Sequence, residues 1–123
     1  MAEQRHGEHH LSGRLLAALW TIRLLAGETG RPPRREDLLV KEKPSDFLET
    51  AMASLLDHLM AAKRRGGEHW RAAAEVYGAI PGLLPLRQVP AHTMGPGPQR
   101  AFADGYAEQR AAHAEKYGRL VEG

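Results

Sequence analysis

The chain has 123 residues, no cysteine, 17 Lys and Arg against 15 Asp and Glu, and a formal net charge of +2. That length is one domain's worth, able to bury a core without staples, and the missing thiols exclude a disulfide framework, a thiolate zinc site and a cysteine nucleophile. No apolar run approaches the roughly 18 residues of a membrane span, and the opening MAEQRHGEHH is polar rather than signal-like, so a soluble, cytoplasmic protein without a membrane partner is expected.

Residues 1–10 read as a flexible polar tail and 11–123 as a single domain. From Leu11 to Leu25 the apolar residues Leu11, Leu15, Leu16, Leu19 and Ile22, then Leu24 or Leu25, fall at helical spacing, and Gly27 and Gly30 end the helix. Thr29 to Pro44 has paired prolines and mixed charge, so it reads as an exposed linker with one short turn at Glu36 to Leu39. The next segment, SDFLETAMASLLDHLMAAKRRGG, has a Ser45 or Asp46 cap, early acids and the late bases Lys63, Arg64 and Arg65, and Gly66 as its stop. This predicts one continuous helix with Phe47, Leu48, Met52, Leu55, Leu56, Leu59 and Met60 inward. Glu68 to Tyr77 predicts a shorter helix that turns Trp70, Ala73, Ala74 and Tyr77 inward, and Pro81 ends it. Apolar residues among the prolines of 78–98 predict an ordered loop pinned to the core. A last helix follows from Pro98 to Tyr117, with Gly118 as its stop. The expected fold is all-α, a compact bundle of four main helices with a Pro-rich ordered loop before the last.

On that last helix Phe102, Tyr106, Gln109, His113, Tyr117 and Leu120 share one face. Gly105 stands beside it, although a mid-helix glycine costs about 1 kcal/mol relative to alanine. Close approach of a partner helix accounts for it, and Gly13 on the first helix can serve the same purpose. Arg100 and Arg110 read either as partners of Asp104 and Glu108 or as contacts to an external anion.

Several segments resemble the C-terminal helical domain of the large subunit of type I-C CRISPR interference (Cascade) complexes, a domain also made separately as the small subunit. HLSGRLLAALWTI is similar to that family's GRLFAVLE helix through Gly13, Arg14 and Leu15. PSDFLETAMASLLDHLMAAK is similar to its next leucine-rich block through Pro44 and Phe47. IPGLLPL followed by QRAFADGYAEQR is similar to its last block through Pro81, Leu86, Gln99, Phe102, Gly105, Tyr106, Gln109 and Arg110. PPRREDLLVKEK stands in place of a family DRYF motif, HTMGPGP is an insertion, and Trp20 stands near a family glutamine. The resemblance implies a non-enzymatic belly subunit, present in more than one copy beside the backbone and large subunits. It would hold the displaced non-target DNA strand of the R-loop formed by guide RNA and target, with no cofactor.

Holding a single strand needs cations along a groove and tolerates any base sequence, because phosphates dominate the affinity. Arg14 and Arg23 on the first helix, Lys63, Arg64, Arg65 and Arg71 around the glycine turn, and Arg100 and Arg110 on the last helix are the candidate nucleic-acid contacts. Gly13, Phe102, Gly105 and Tyr106 are the candidate helix-packing residues. The Lys63 to Arg65 run also reads as a cap on the helix dipole. His6, His9 and His10 read as polar tail rather than metal site, His58 and His69 lack an HExxH frame, and GPGP lacks the lysine of a phosphate loop. Trp20, Trp70, Tyr77, Tyr106 and Tyr117 sit at core spacing. The rival expectation is a helical dimerising interaction or regulatory protein without nucleic-acid binding.

Overall fold

The first leucine-rich segment forms a helix that is buried almost all round, because alanine and small polar residues fill the positions between its leucines. In the computed structural model, which describes residues 2–28, 30–39, 44–84 and 96–122, this is α1 (Ala2–Leu25). Leu15, Leu16, Ala17, Ala18, Leu19, Ile22 and Leu25 are buried, and so are Ser12 and Thr21. Every other long helix packs on it: α3 (Pro44–Ala53), α4 (Leu55–Arg65), α5 (Gly67–Ala79) and α6 (Pro96–Glu122). A five-residue helix, α2 (Arg35–Leu39), and a 3₁₀ turn (Ile80–Leu83) complete an all-α fold with no strand among the described residues.

α1 and α6 form the dominant interface. A Cβ on Gly13 would lie 2.0 Å from the Phe102 carbonyl oxygen, and one on Gly105 would lie 2.1 Å from that of His10. Each glycine therefore sits against the other helix's backbone, a separation no side chain permits. The pairs His10 with Glu108, Arg14 with Gln109 and Thr21 with His113 advance together along both chains, so the two helices run in the same direction. Phe102, Ala103, Tyr106 and Tyr117 are buried from the α6 side.

The structure departs from the sequence expectations in four places. Residues 2–10, expected as a flexible tail, continue α1, since Ala2, Glu3, Gln4 and Glu8 favour helix and the His10 backbone is seated on Gly105. The single helix expected from Ser45 to Arg65 is broken at Ser54, which leaves helical geometry (φ −104°, ψ 4°) while its carbonyl accepts the His58 N–H at 3.0 Å. The break lets the two halves wrap α1 separately through Leu48 and through Leu59 and Ala62, so Met52, Leu56 and Met60 stand exposed; the Phe47 side chain lies outside the described residues. α5 buries Ala72, Ala73 and Val76 and leaves Tyr77 exposed, because Ile80 and Leu83 of the 3₁₀ turn extend the Val76 row and set the helix's rotation. Finally, α6 runs past Gly118 to Glu122, and the expected pinned loop lies largely outside the described residues.

The α4–α5 corner depends on glycine. Gly66 has φ 71°, ψ −169° and Gly67 has φ 54°, conformations that favour residues without a Cβ. α2 is capped by Asp37, whose Oδ2 accepts the Arg34 N–H at 2.9 Å, and is tied to α6 by the Arg35 to Asp104 ion pair at 2.7 Å.

Candidate nucleic-acid interface

The α1–α6 seam carries a one-way chain of hydrogen bonds. Arg14 Nε can only donate, and it donates to Gln109 Oε1 at 2.9 Å, which turns the Gln109 amide nitrogen toward His113 Nε2 at 2.9 Å. His113 Nε2 must then accept, so its proton sits on Nδ1 and is donated to Thr21 Oγ1 at 2.7 Å. The Thr21 hydroxyl passes its own hydrogen to the Ala17 carbonyl at 3.0 Å. The chain is complete only with a neutral imidazole, since a second ring proton would face the Gln109 amide hydrogens. Burial, reinforced by the positive charges of Arg110, Lys116 and Arg14, lowers the His113 pKa to about 4.

That shift fixes a pH dependence. The folded pKa lies below the unfolded value of 6.5, so the stabilisation is fully present above pH 6.5 and is lost as pH falls toward 4. Discounted for the partial exposure of the ring, the loss is on the order of 1–2 kcal/mol. Chemical denaturation at pH 7 and at pH 4.5 should show a loss that His113→Gln largely removes; an equal loss in the variant would contradict the assignment.

Tyr106 presents the opposite case. Its hydroxyl is buried and makes no well-formed hydrogen bond among the described residues. Burial pushes its pKa up to about 12, against the opposing charge and a weak, poorly aligned hydrogen bond of Arg110. A buried polar group without a partner costs about 1–3 kcal/mol. Tyr106→Phe is therefore expected to raise the melting temperature, and a drop would show that the hydroxyl is satisfied in solution.

The candidate cations divide into two sets. Arg14 is held by Gln109. Arg23 lies over the Trp20 ring at 4.5 Å. Arg110 points to Thr21 Oγ1 at 3.4 Å. Arg65 donates Nη1 to the Leu25 carbonyl at 2.9 Å and so caps the C-terminus of α1. Lys63 lies 5.7 Å from the centre of the Trp70 ring. Arg64, Arg71 and Arg100 are exposed and form no ion pair among the described residues. The acids expected to neutralise the α6 arginines are engaged elsewhere: Asp104 by Arg35 and Glu108 by His10.

No family model, curated protein or solved structure matches this chain.

The candidates also divide by position, along a different line. The Glu68 to Arg119 ion pair at 3.0 Å places the α4–α5 corner at the C-terminal end of α6. Arg100 is 19 residues back along that helix, about 28 Å away. Lys63, Arg64, Arg65 and Arg71 thus gather at one end and Arg100 stands at the other, so a ligand touching both must be extended. Sequence reasoning overlooked the Thr21, Gln109 and His113 relay, whose signal was a polar residue at core spacing in each helix. It also overlooked Glu75, which Lys116 and Tyr117 both contact; those hydrogen bonds, that of Lys116 foremost, lower the Glu75 pKa. Among the described residues no three His, Cys, Asp or Glu side chains converge on a metal position, and no helix is long and apolar enough to cross a membrane.

Proposed function

We propose that the chain is a non-enzymatic small subunit of a type I CRISPR surveillance complex in the cytoplasm. It lines the belly in more than one copy beside the backbone and large subunits, and holds the displaced non-target strand of the R-loop. The observation that carries this reading is the meeting of two resemblance blocks. Gly13 and Arg14 pack on Phe102, Tyr106 and Gln109, 95 positions away between Arg14 and Gln109, while Arg64, Arg71 and Arg100 stay exposed and unpaired among the described residues. The matched residues thus build a scaffold, and the unpaired cations are what a phosphate backbone would meet.

Affinity-tagged chain, co-expressed with the subunits and guide RNA of a type I complex, is expected to co-elute with them through gel filtration. Elution as a free protein would overturn the assignment. A second reading, a helical protein that dimerises without nucleic acid, draws on the exposed row Met52, Leu56 and Met60. It predicts a dimer that Leu56→Glu dissolves, read by sedimentation equilibrium.

A further inference from the structure

A groove of about 440 Å³ opens between α1, the residues before α2, and the break joining α3 to α4. Its walls are apolar, with Leu16, Leu19, Pro33 and Ala51 around the Trp20 ring. Its polar groups are Arg23, the hydroxyls of Thr50 and Ser54, and His58, and among the described residues no carboxylate lines it. The Arg23 guanidinium lies over Trp20, yet its Nε is buried without a hydrogen-bond partner among the described residues. Unmet donor capacity on a side chain that lines an open groove favours an acceptor arriving there.

The surroundings narrow the acceptor's chemistry. Arg31 and Arg34 are exposed on either side of Pro33, Arg34 being paired with Glu36 and Asp37 at 3.6 and 3.8 Å, and Arg65, which donates to the Leu25 carbonyl, follows His58 by seven residues on α4, about 10 Å along the helix. The groove is therefore an apolar slot with an aromatic wall, a few hydrogen-bonding groups and a rim of arginines, of which Arg31 forms no ion pair among the described residues. Its volume lies within the range of small-ligand sites. A nucleobase offers the matching features: a π face for the wall, ring nitrogens and carbonyls for Arg23, Thr50, Ser54 and His58, and a phosphate on each side for the rim.

We propose that this groove receives one unstacked base of a single-stranded nucleic acid, stacked against Trp20 with Arg23 donating to its edge or its phosphate. This deepens the strand-holding reading and rests on it, adding a base-dependent contact to a phosphate-dependent one.

The test uses the full chain carrying Trp70→Phe, which leaves Trp20 as its single tryptophan. An oligothymidine and an abasic strand of equal length are titrated while Trp20 emission is followed. The base-containing strand is expected to quench Trp20 and to bind roughly tenfold more tightly than the abasic strand. Ala51→Leu, which fills the groove, should equalise the two without changing the melting temperature. Equal affinities with no quenching would overturn the base pocket alone and leave strand holding intact. Binding of neither strand would overturn the strand-holding reading and the pocket with it.

Discussion

Gly105→Ala is expected to destabilise the protein by at least ~3 kcal/mol, although alanine is the better helix former. The new methyl would fall 2.1 Å from the His10 carbonyl oxygen, and the obstacle is backbone, which cannot rotate aside. α1 and α6 must separate, and the layer of Phe102, Ala103, Tyr106, Leu15 and Leu16 loses its packing with them. Gly13→Ala should behave alike, since its methyl would fall 2.0 Å from the Phe102 carbonyl oxygen. Gly118 provides the control on the same helix: a Cβ there meets nothing within 4 Å. Gly118→Ala should therefore stabilise by ~0.5–1 kcal/mol. Thermal melts of the three variants should move in opposite directions, with the seam glycines lowering the midpoint by roughly 10 °C or more. A small effect of Gly105→Ala would contradict the seam geometry.

The second large effect concerns binding. Replacing Arg64, Arg71 and Arg100 together by Glu removes three exposed cations that no carboxylate pairs among the described residues. Folding stability should change little, since each side chain is at the surface and outside any ion pair of the described residues. Affinity for a single strand should fall by two orders of magnitude or more at low salt, and the slope of log K against log salt should flatten by about 2, near 0.7 for each phosphate that is no longer neutralised. Arg14→Met is the informative contrast. Arg14 orders Gln109 and, through it, His113, so its replacement should lower stability and leave the salt slope near its original value. Fluorescence anisotropy at four salt concentrations separates the two. An unchanged slope in the triple variant would remove these residues from any interface.

Most of the helices and the packing glycines were legible in the sequence because their signals are local. Leucine spacing marks α1, the glycine pair marks the α4–α5 corner, and a glycine inside an otherwise strong helix marks a close contact. Rotation was less legible. The apolar stripe from Phe47 to Met60 is wider than one buried face, and only the break at Ser54 decides that Leu48 and Leu59 go inward while Leu56 does not. In α5 the deciding residues, Ile80 and Leu83, lie on either side of the proline that marked its end.

The candidate interface was the least legible part, because an arginine's spacing does not reveal its partner. Arg110 shares a sequence neighbourhood with Glu108 but turns to Thr21, and Arg65 belongs to a basic run but caps a helix 40 positions earlier. Cations that read alike in one dimension are sorted in three by which carbonyls and hydroxyls lie within reach. The resemblance blocks divide in a related way: Gly13, Phe102, Gly105 and Tyr106 hold α1 to α6, while of the cations left for a ligand Arg64 and Arg71 lie outside the blocks and Arg100 inside the last.

The central claim is that this chain supports an opened DNA strand inside a guide complex. Permanganate footprinting of a target duplex bound by the reconstituted complex, with and without the chain, tests it most directly. The account predicts that thymines of the displaced strand become reactive over a longer stretch, or remain so for longer, only when the chain is present. Identical footprints in its presence and absence would contradict it.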